Sequence, residues 1–188
     1  MAELPEQVRR IVLIGLMGAG KTTVGQLLAQ RLGWTFLDLD AEIEAGARKS
    51  VSQIFEDDGE VTFRRLEQQL TGELASRDRV VLAPGGGWVT QPIAVAQLAN
   101  NTALFWLQVT PEEAVRRVQQ DGTVRPLLQV NDPLAAAQRL AQERTHAYER
   151  LGVPVETVNR TPSEIVQDIM SNLGTRIMNA RAPQRTNG

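Results

Sequence analysis

Eight residues, Gly15-Leu-Met-Gly-Ala-Gly20-Lys21-Thr22, constrain this chain more than any other stretch. They satisfy G-x-x-x-x-G-K-[ST] at every fixed position. Ahead of them, Ile11 to Ile14 is an unbroken apolar run that reads as a buried strand. Behind them, Val24, Leu27, Leu28 and Leu32 recur at helical spacing, and the pattern stops near Gly33. Strand, glycine-rich turn and helix is the context in which such residues cradle phosphate. The glycines let backbone N–H groups converge on phosphate oxygens, and the helix directs the partial positive charge of its N-terminus at the same point. Lys21 then reaches the β- and γ-phosphates, and Thr22 offers its hydroxyl to Mg²⁺. The bare pattern arises by accident in on the order of one in a hundred chains of this size. Its placement between strand and helix makes a plain glycine turn followed by a surface lysine the weaker reading.

The rest of the chain repeats that alternation. Trp34 to Leu39, Val80 to Leu82, Ala103 to Val109 and Val153 to Val158 read as four further strands. Thr110-Pro-Glu-Glu113 and Thr161-Pro-Ser-Glu164 each combine an N-cap hydroxyl, proline at the first helical position and glutamate two residues on. Ser50-Val-Ser-Gln53 is a weaker capping box, and Asp132-Pro133 opens another helix. Strands and helices alternating in this way predict an α/β fold, a parallel sheet covered on both faces. One domain is expected over residues 1–175, followed by a disordered tail over 176–188, because apolar periodicity ends after Leu173. Gln119 to Asp132 breaks the pattern. It is polar at both ends, carries Gly122 and Pro126, and is expected to be either a mobile lid or an ordinary surface loop.

Composition excludes several classes. The net charge of −2 argues against a general nucleic-acid or acidic-membrane binder. The absence of cysteine removes disulfides, thiolate zinc sites and cysteine nucleophiles, and the single histidine, His146, cannot build a histidine metal cluster. Met1 to Arg10 has no apolar signal core, and no run approaches the roughly 20 apolar residues of a membrane span. A cytoplasmic monomer acting on a small molecule is expected, with no nucleic-acid and no membrane partner. There is no N-K-x-D guanine motif, and 188 residues leave little room for the coupling domains of a motor. A small-molecule kinase is the leading class.

Candidate acceptor residues lie further along. Asp38 and Asp40 close the second predicted strand, where period two would put both carboxylates on one face. They suit Mg²⁺ and an acceptor hydroxyl, or else a cap and a solvated aspartate. Arg64 and Glu67 sit three apart on a predicted helix whose apolar stripe is Phe63, Leu66 and Leu70, so they can meet. Gly85-Gly86-Gly87 permits close approach to a ligand or makes a tight turn. Arg125 and Arg144, each simply a surface arginine alone, could join Arg64 in a basic pocket matched to carboxylate and phosphate.

Taken in order, GLMGAGKTTVG, FLDLD, FRRLE, GGG, TVRPLL and ERTHAYER resemble the shikimate kinase family, from about Ile11 to Pro162. The resemblance implies a nucleoside-monophosphate-kinase-like fold, a five-stranded sheet ordered 2-3-1-4-5, ATP and Mg²⁺ as cofactors, and the 3-hydroxyl of shikimate as acceptor. It implies that Gly18, Ala19, Gly20, Lys21, Thr22 and Thr23 cradle the ATP phosphates. Thr22 and Asp38 would hold the metal, the latter through water. Asp40 would bind the hydroxyls and act as base, and Arg64 and Arg144 would grip the carboxylate. Gly85 to Gly87 would close on the ring, and Arg125 would meet the transferred phosphoryl group. Arg117 and Arg160 would lie at the adenine. Departures are Ala83-Pro84 ahead of the triplet, Thr-His-Ala-Tyr148 after Arg144 in place of Pro-Leu-Tyr, and a missing second arginine beside Arg160. A gluconate-type kinase would share the phosphate loop without needing three arginines for a carboxylated ring. A noncatalytic relative should lack one of Lys21, Asp40, Arg64 or Arg125, and all four are present.

Overall fold

The Ile11–Ile14 run is buried on both faces, which is possible only for a strand with neighbours on each side and helices above and below. In the computed structural model, which describes residues 8–98, 100–121, 128 and 130–181 with side chains to Leu173, that is what surrounds it. Strand β1 (Arg10–Ile14) pairs in parallel with β3 (Val80–Ala83) on one side and β4 (Thr102–Gln108) on the other. Strands β2 (Thr35–Asp38) and β5 (Val153–Glu156) complete the edges, giving five strands ordered 2-3-1-4-5, as the resemblance implies. All the pairings are parallel.

Helices cover both faces. Ile11, Leu13, Phe105 and Leu107 pack against α1 (Lys21–Leu32) and α8 (Pro162–Arg181). Val12, Ile14 and Leu82 face the other way, toward α4 (Gly59–Leu74), α5 (Pro92–Gln97) and α7 (Pro133–Leu151). Between β2 and α4 lie α2 (Leu39–Ala47) and α3 (Val51–Asp57), joined to α4 through Ile43, Ile54 and Phe63. Helix α6 (Pro111–Asp121) follows β4 and starts on the expected Thr110 cap, whose hydroxyl accepts from Glu113 N–H. Ser50 and Gln53 form a complete capping box, stronger than the sequence suggested. Helix α8 runs to Arg181, past the boundary expected at 175. Of the segment Gln119 to Asp132, expected as a lid or a surface loop, residues 119–121 belong to α6, and 122–127 and 129 lie outside the described residues.

Arg10, at the start of β1, ties the loops that feed its neighbours. Its guanidinium donates to Ala75 and Arg77 carbonyls at 2.8 and 3.0 Å, to Asn100 O at 2.7 Å and to Thr102 Oγ1 at 3.1 Å. The side chain is almost fully buried. Arg10→Met keeps the stem and removes all four bonds, so it should cost about 3 kcal/mol. Urea unfolding checks this. A loss under about 0.5 kcal/mol, the range of an ordinary surface change, would mean that the clamp is ornamental.

Candidate active site

Chain direction puts the carboxyl ends of β1, β2 and β3 on one edge of the sheet, where open α/β sheets bind ligands. Ile14 runs straight into the phosphate loop there. Gly18 has φ +74°, and a Cβ on it would lie 2.5 Å from Ala114 O, so only glycine lets the loop pass under α6. Helix α1 begins at Lys21 with Gly20 as N-cap and no side-chain cap, so no side chain blocks its first-turn N–H groups. Lys21 Nζ donates to Gly15 O at 3.0 Å and Leu16 O at 3.2 Å, on the floor of the loop. Gly18, Ala19, Gly20, Lys21, Thr22 and Thr23 all line one cavity of about 970 Å³.

Thr22 Oγ1 donates to Asp38 Oδ2 at 2.9 Å, joining α1 to the end of β2. The expected geometry of the aspartate pair is corrected here. Strand β2 stops at Asp38, so the two carboxylates do not share a strand face. Asp38 Oδ1 accepts from Asp40 N–H at 3.1 Å and Ala41 N–H at 3.4 Å, capping α2. The cap turns the chain into a helix and places Asp40 in its first turn, still in the cavity. One aspartate thus caps a helix and faces Thr22, while the other points along the glycine triplet.

That triplet lies between two arginines. A Cβ on Gly87 would sit 2.6 Å from Arg64 Nη2, and one on Gly86 would sit 3.0 Å from Arg144 Nη1. Side chains here would occupy the space in front of both guanidiniums. Arg64 pairs with Glu60 at 3.0 Å and with fully buried Glu67 at 2.8 Å. Burial works against the Arg64 charge, and Glu67 then Glu60 more than restore it, so its pKa stands above the ordinary value. The cost falls on Glu67, whose carboxyl is pushed up by burial despite Arg64, with the Asp40 charge adding to the rise. Glu67 Oε2 also accepts from Gln91 Nε2, and its buried Oε1 has no hydrogen-bond partner among the described residues. Arg144 is buried on α7, and Tyr148, one turn on, donates to Gly86 O at 2.8 Å. Burial pushes the Tyr148 hydroxyl up to about 12, so it remains a donor at any working pH.

At the far end of the cavity, Arg117 donates to Thr157 O at 2.9 Å, Gly18 O at 3.3 Å and Glu113, linking α6, the phosphate loop and the residue after β5. Arg116 and Arg117 hold the Glu113 carboxyl down to about 2. Arg160 also lines the cavity, but its guanidinium is directed to Asp168 at 2.7 Å and the Glu164 carbonyl at 3.2 Å, tying down the start of α8. Arg125 lies outside the described residues. His146 is exposed and takes no part in the cavity. The sequence reading did not single out Tyr148, Thr157 or Gln91. The spacing of four from Arg144 marks Tyr148 as sharing its helix face. Thr157 and Gln91 carry no local signal, since their partners are distant in the chain.

Comparison with known proteins agrees with this arrangement. A family model described as shikimate kinase matches residues 17–174. The shikimate kinase of Synechococcus sp. (strain CC9605) is 41% identical over 88% of this chain and 82% of its own. That of Thiobacillus denitrificans is 41% identical over 87% of this chain and 89% of its own. Among solved structures, shikimate kinase from Acinetobacter baumannii in complex with shikimate superposes with a TM-score of 0.81 at 35% identity, covering 95% of this chain and 97% of that one. A gluconokinase from Sinorhizobium meliloti, at TM-score 0.61 and 21% identity over 94% of this chain and 97% of that one, shares the fold. Sheet order, phosphate loop and the match over most of the chain converge: the chain belongs to the shikimate kinase family.

Proposed function

We propose that this protein, as a cytoplasmic monomer, transfers the γ-phosphoryl group of ATP to the 3-hydroxyl of shikimate, giving ADP and shikimate 3-phosphate. The observation that carries the reading is one continuous cavity that joins the phosphate loop to a wall bearing Arg64 and Arg144. Two guanidiniums beside a side-chain-free strip suit a small ring that carries a carboxylate, which arginine's fork grips through two bonds. Gluconokinase chemistry also needs a phosphate loop, but not this pair.

Asp40 is the base of the proposal. In the first turn of α2 its carboxylate is oriented by the helix start, and an acceptor hydroxyl on the triplet would meet it. As that oxygen bonds to the γ-phosphorus, the bond from phosphorus to the ADP oxygen breaks and the hydroxyl proton passes to Asp40. Lys21 and the first N–H groups of α1 follow the charge that moves onto the phosphate oxygens. Thr22 Oγ1 and Asp38 Oδ2 are hard oxygen donors 2.9 Å apart, and they fit Mg²⁺. No described cluster of three or more His, Cys, Asp or Glu offers an all-protein cage, so the remaining ligands would be phosphate oxygens and water. When bound there with ATP, the ion would supply neutralising charge to the phosphates. No helix among the described residues is long and apolar enough to cross a membrane.

The direct test is ADP release, coupled to NADH oxidation, with shikimate, gluconate or nucleoside monophosphates as acceptor. Release is expected with shikimate alone; release with gluconate and none with shikimate would refute the reading. Lys21→Ala should leave the thermal transition in place while kcat falls by roughly 10²-fold or more, because the lost charge acts mainly in the transition state. Asp40→Asn keeps the shape and removes the base. Its kcat should fall by about 10²- to 10⁴-fold with ATP affinity retained, and an unchanged kcat would make Asp40 a simple helix-start residue.

A further inference from the structure

The turn that follows the glycine triplet reaches back to α4 twice, and both contacts end on the same residue. Trp88, wholly buried, donates its indole N–H to Thr71 Oγ1 at 3.1 Å, and that hydroxyl donates to the Glu67 carbonyl at 2.7 Å. Gln91 donates its amide to Glu67 Oε2, the oxygen that also receives Arg64 Nη1. Gln91 stands at the N-cap of α5, yet makes no side-chain cap to that helix. Its side chain is used on Glu67 instead. We propose that Gln91 is a positioning residue for acceptor binding, fixing Glu67 so that Arg64 stays over Gly87 at the height a carboxylate needs.

The physical case is one of rotamer restraint. Arg64 is a long side chain whose head is partly exposed, and its own helix supplies it with Glu60 on the solvent side. Glu60 is exposed and holds geometry weakly. The buried anchor is Glu67, and a buried carboxylate with one arginine for company can swing about its terminal torsion. A second donor on the same oxygen removes that freedom. Because the donor comes from the turn directly after Gly87, it also ties the position of Arg64 to the strip that the ligand must lie on. Burial disfavours the Glu67 anion, and the Gln91 amide is among the groups that oppose this. The contact therefore supports the charge that Arg64 needs as well as the direction of the carboxylate.

The inference rests on the shikimate-kinase reading, and assaying the unmodified enzyme with shikimate tests that reading separately. Gln91→Met matches the length and lacks the donor. Its KM for shikimate should rise by about five- to twenty-fold, with kcat and KM for ATP within about two-fold of the parent, and calorimetric binding of shikimate without nucleotide should weaken in parallel. A merely structural role would move both substrates and the thermal transition together. In a Glu67→Gln background the same change should add less than about two-fold, because its route to Arg64 is already altered. Should methionine disturb the turn, Gln91→Ala asks the same question with less volume. An unchanged shikimate KM in an active, folded Gln91 variant, an equal rise in KM for ATP, or the full effect persisting in Glu67→Gln would each overturn the proposal.

Discussion

Everything in this molecule depends on β1 being held between two parallel neighbours. Arg10 aligns with Val80 and Thr102, and Ile14 with Trp106, so the strand ends are brought level at one edge. The phosphate loop, the Asp38 cap and the glycine triplet then leave the sheet side by side without further arrangement. Parallel pairing cannot be local, because each connection needs a crossover. The helices that make those crossovers, α1 after β1 and α4 before β3, carry the functional side chains Lys21, Thr22, Arg64 and Glu67. Topology and site are thus set by the same connections.

The two ends of the cavity meet charge in different ways. At the phosphate loop the α1 N–H groups and Lys21 stand with Arg117 nearby, and among the described residues no buried carboxylate lies beside them. At the acceptor end the positive charge comes from guanidiniums brought into a partly dry wall. There Glu67 offsets the burial of the Arg64 charge and holds it in place, while burial raises the Glu67 pKa. A pair of this kind contributes little net stability, since desolvation offsets most of the attraction. Its effect lies in direction: it holds the Arg64 fork at one place beside Gly87.

Much of this was legible in the chain. Apolar runs located the five strands to within a residue or two, and the hydroxyl–proline–glutamate signals at Thr110 and Thr161 marked helix starts, because caps and runs are local physics. The misreading of Asp38 and Asp40 has a local cause as well. Alternation carried to Asp40 runs two residues too far, and the alternative of a capping aspartate is the one that Asp38 fulfils, ending β2 and starting α2. The placing of Gly86 and Gly87 beside two guanidiniums had no local signal and was implied only by the family resemblance, since one arginine comes from α4 and the other from α7, over fifty residues after the triplet. Gln91 is harder still: an amide before a proline resembles any loop residue until Glu67 is opposite it.

That division between local and long-range information also bears on how such a kinase could change substrate. The phosphate loop is written in backbone geometry, so a substitution that keeps the backbone path leaves its N–H groups where they are, whereas Gly18, at positive φ and against Ala114 O, admits no side chain. The acceptor end is written in side chains drawn from α2, α4, the turn after β3 and α7. Altering any one of these changes which group is presented to the acceptor while leaving the sheet edge intact. A new acceptor can therefore be accommodated without rebuilding the phosphate site, provided the buried partners change with the arginines they hold. Replacing Arg64 alone would leave Glu67 as a buried carboxylate with Asp40 nearby and no counter-charge, which is costly enough to oppose the substitution. Arg64 is thus held in place by the partner that would be left unpaired as much as by any contact of its own.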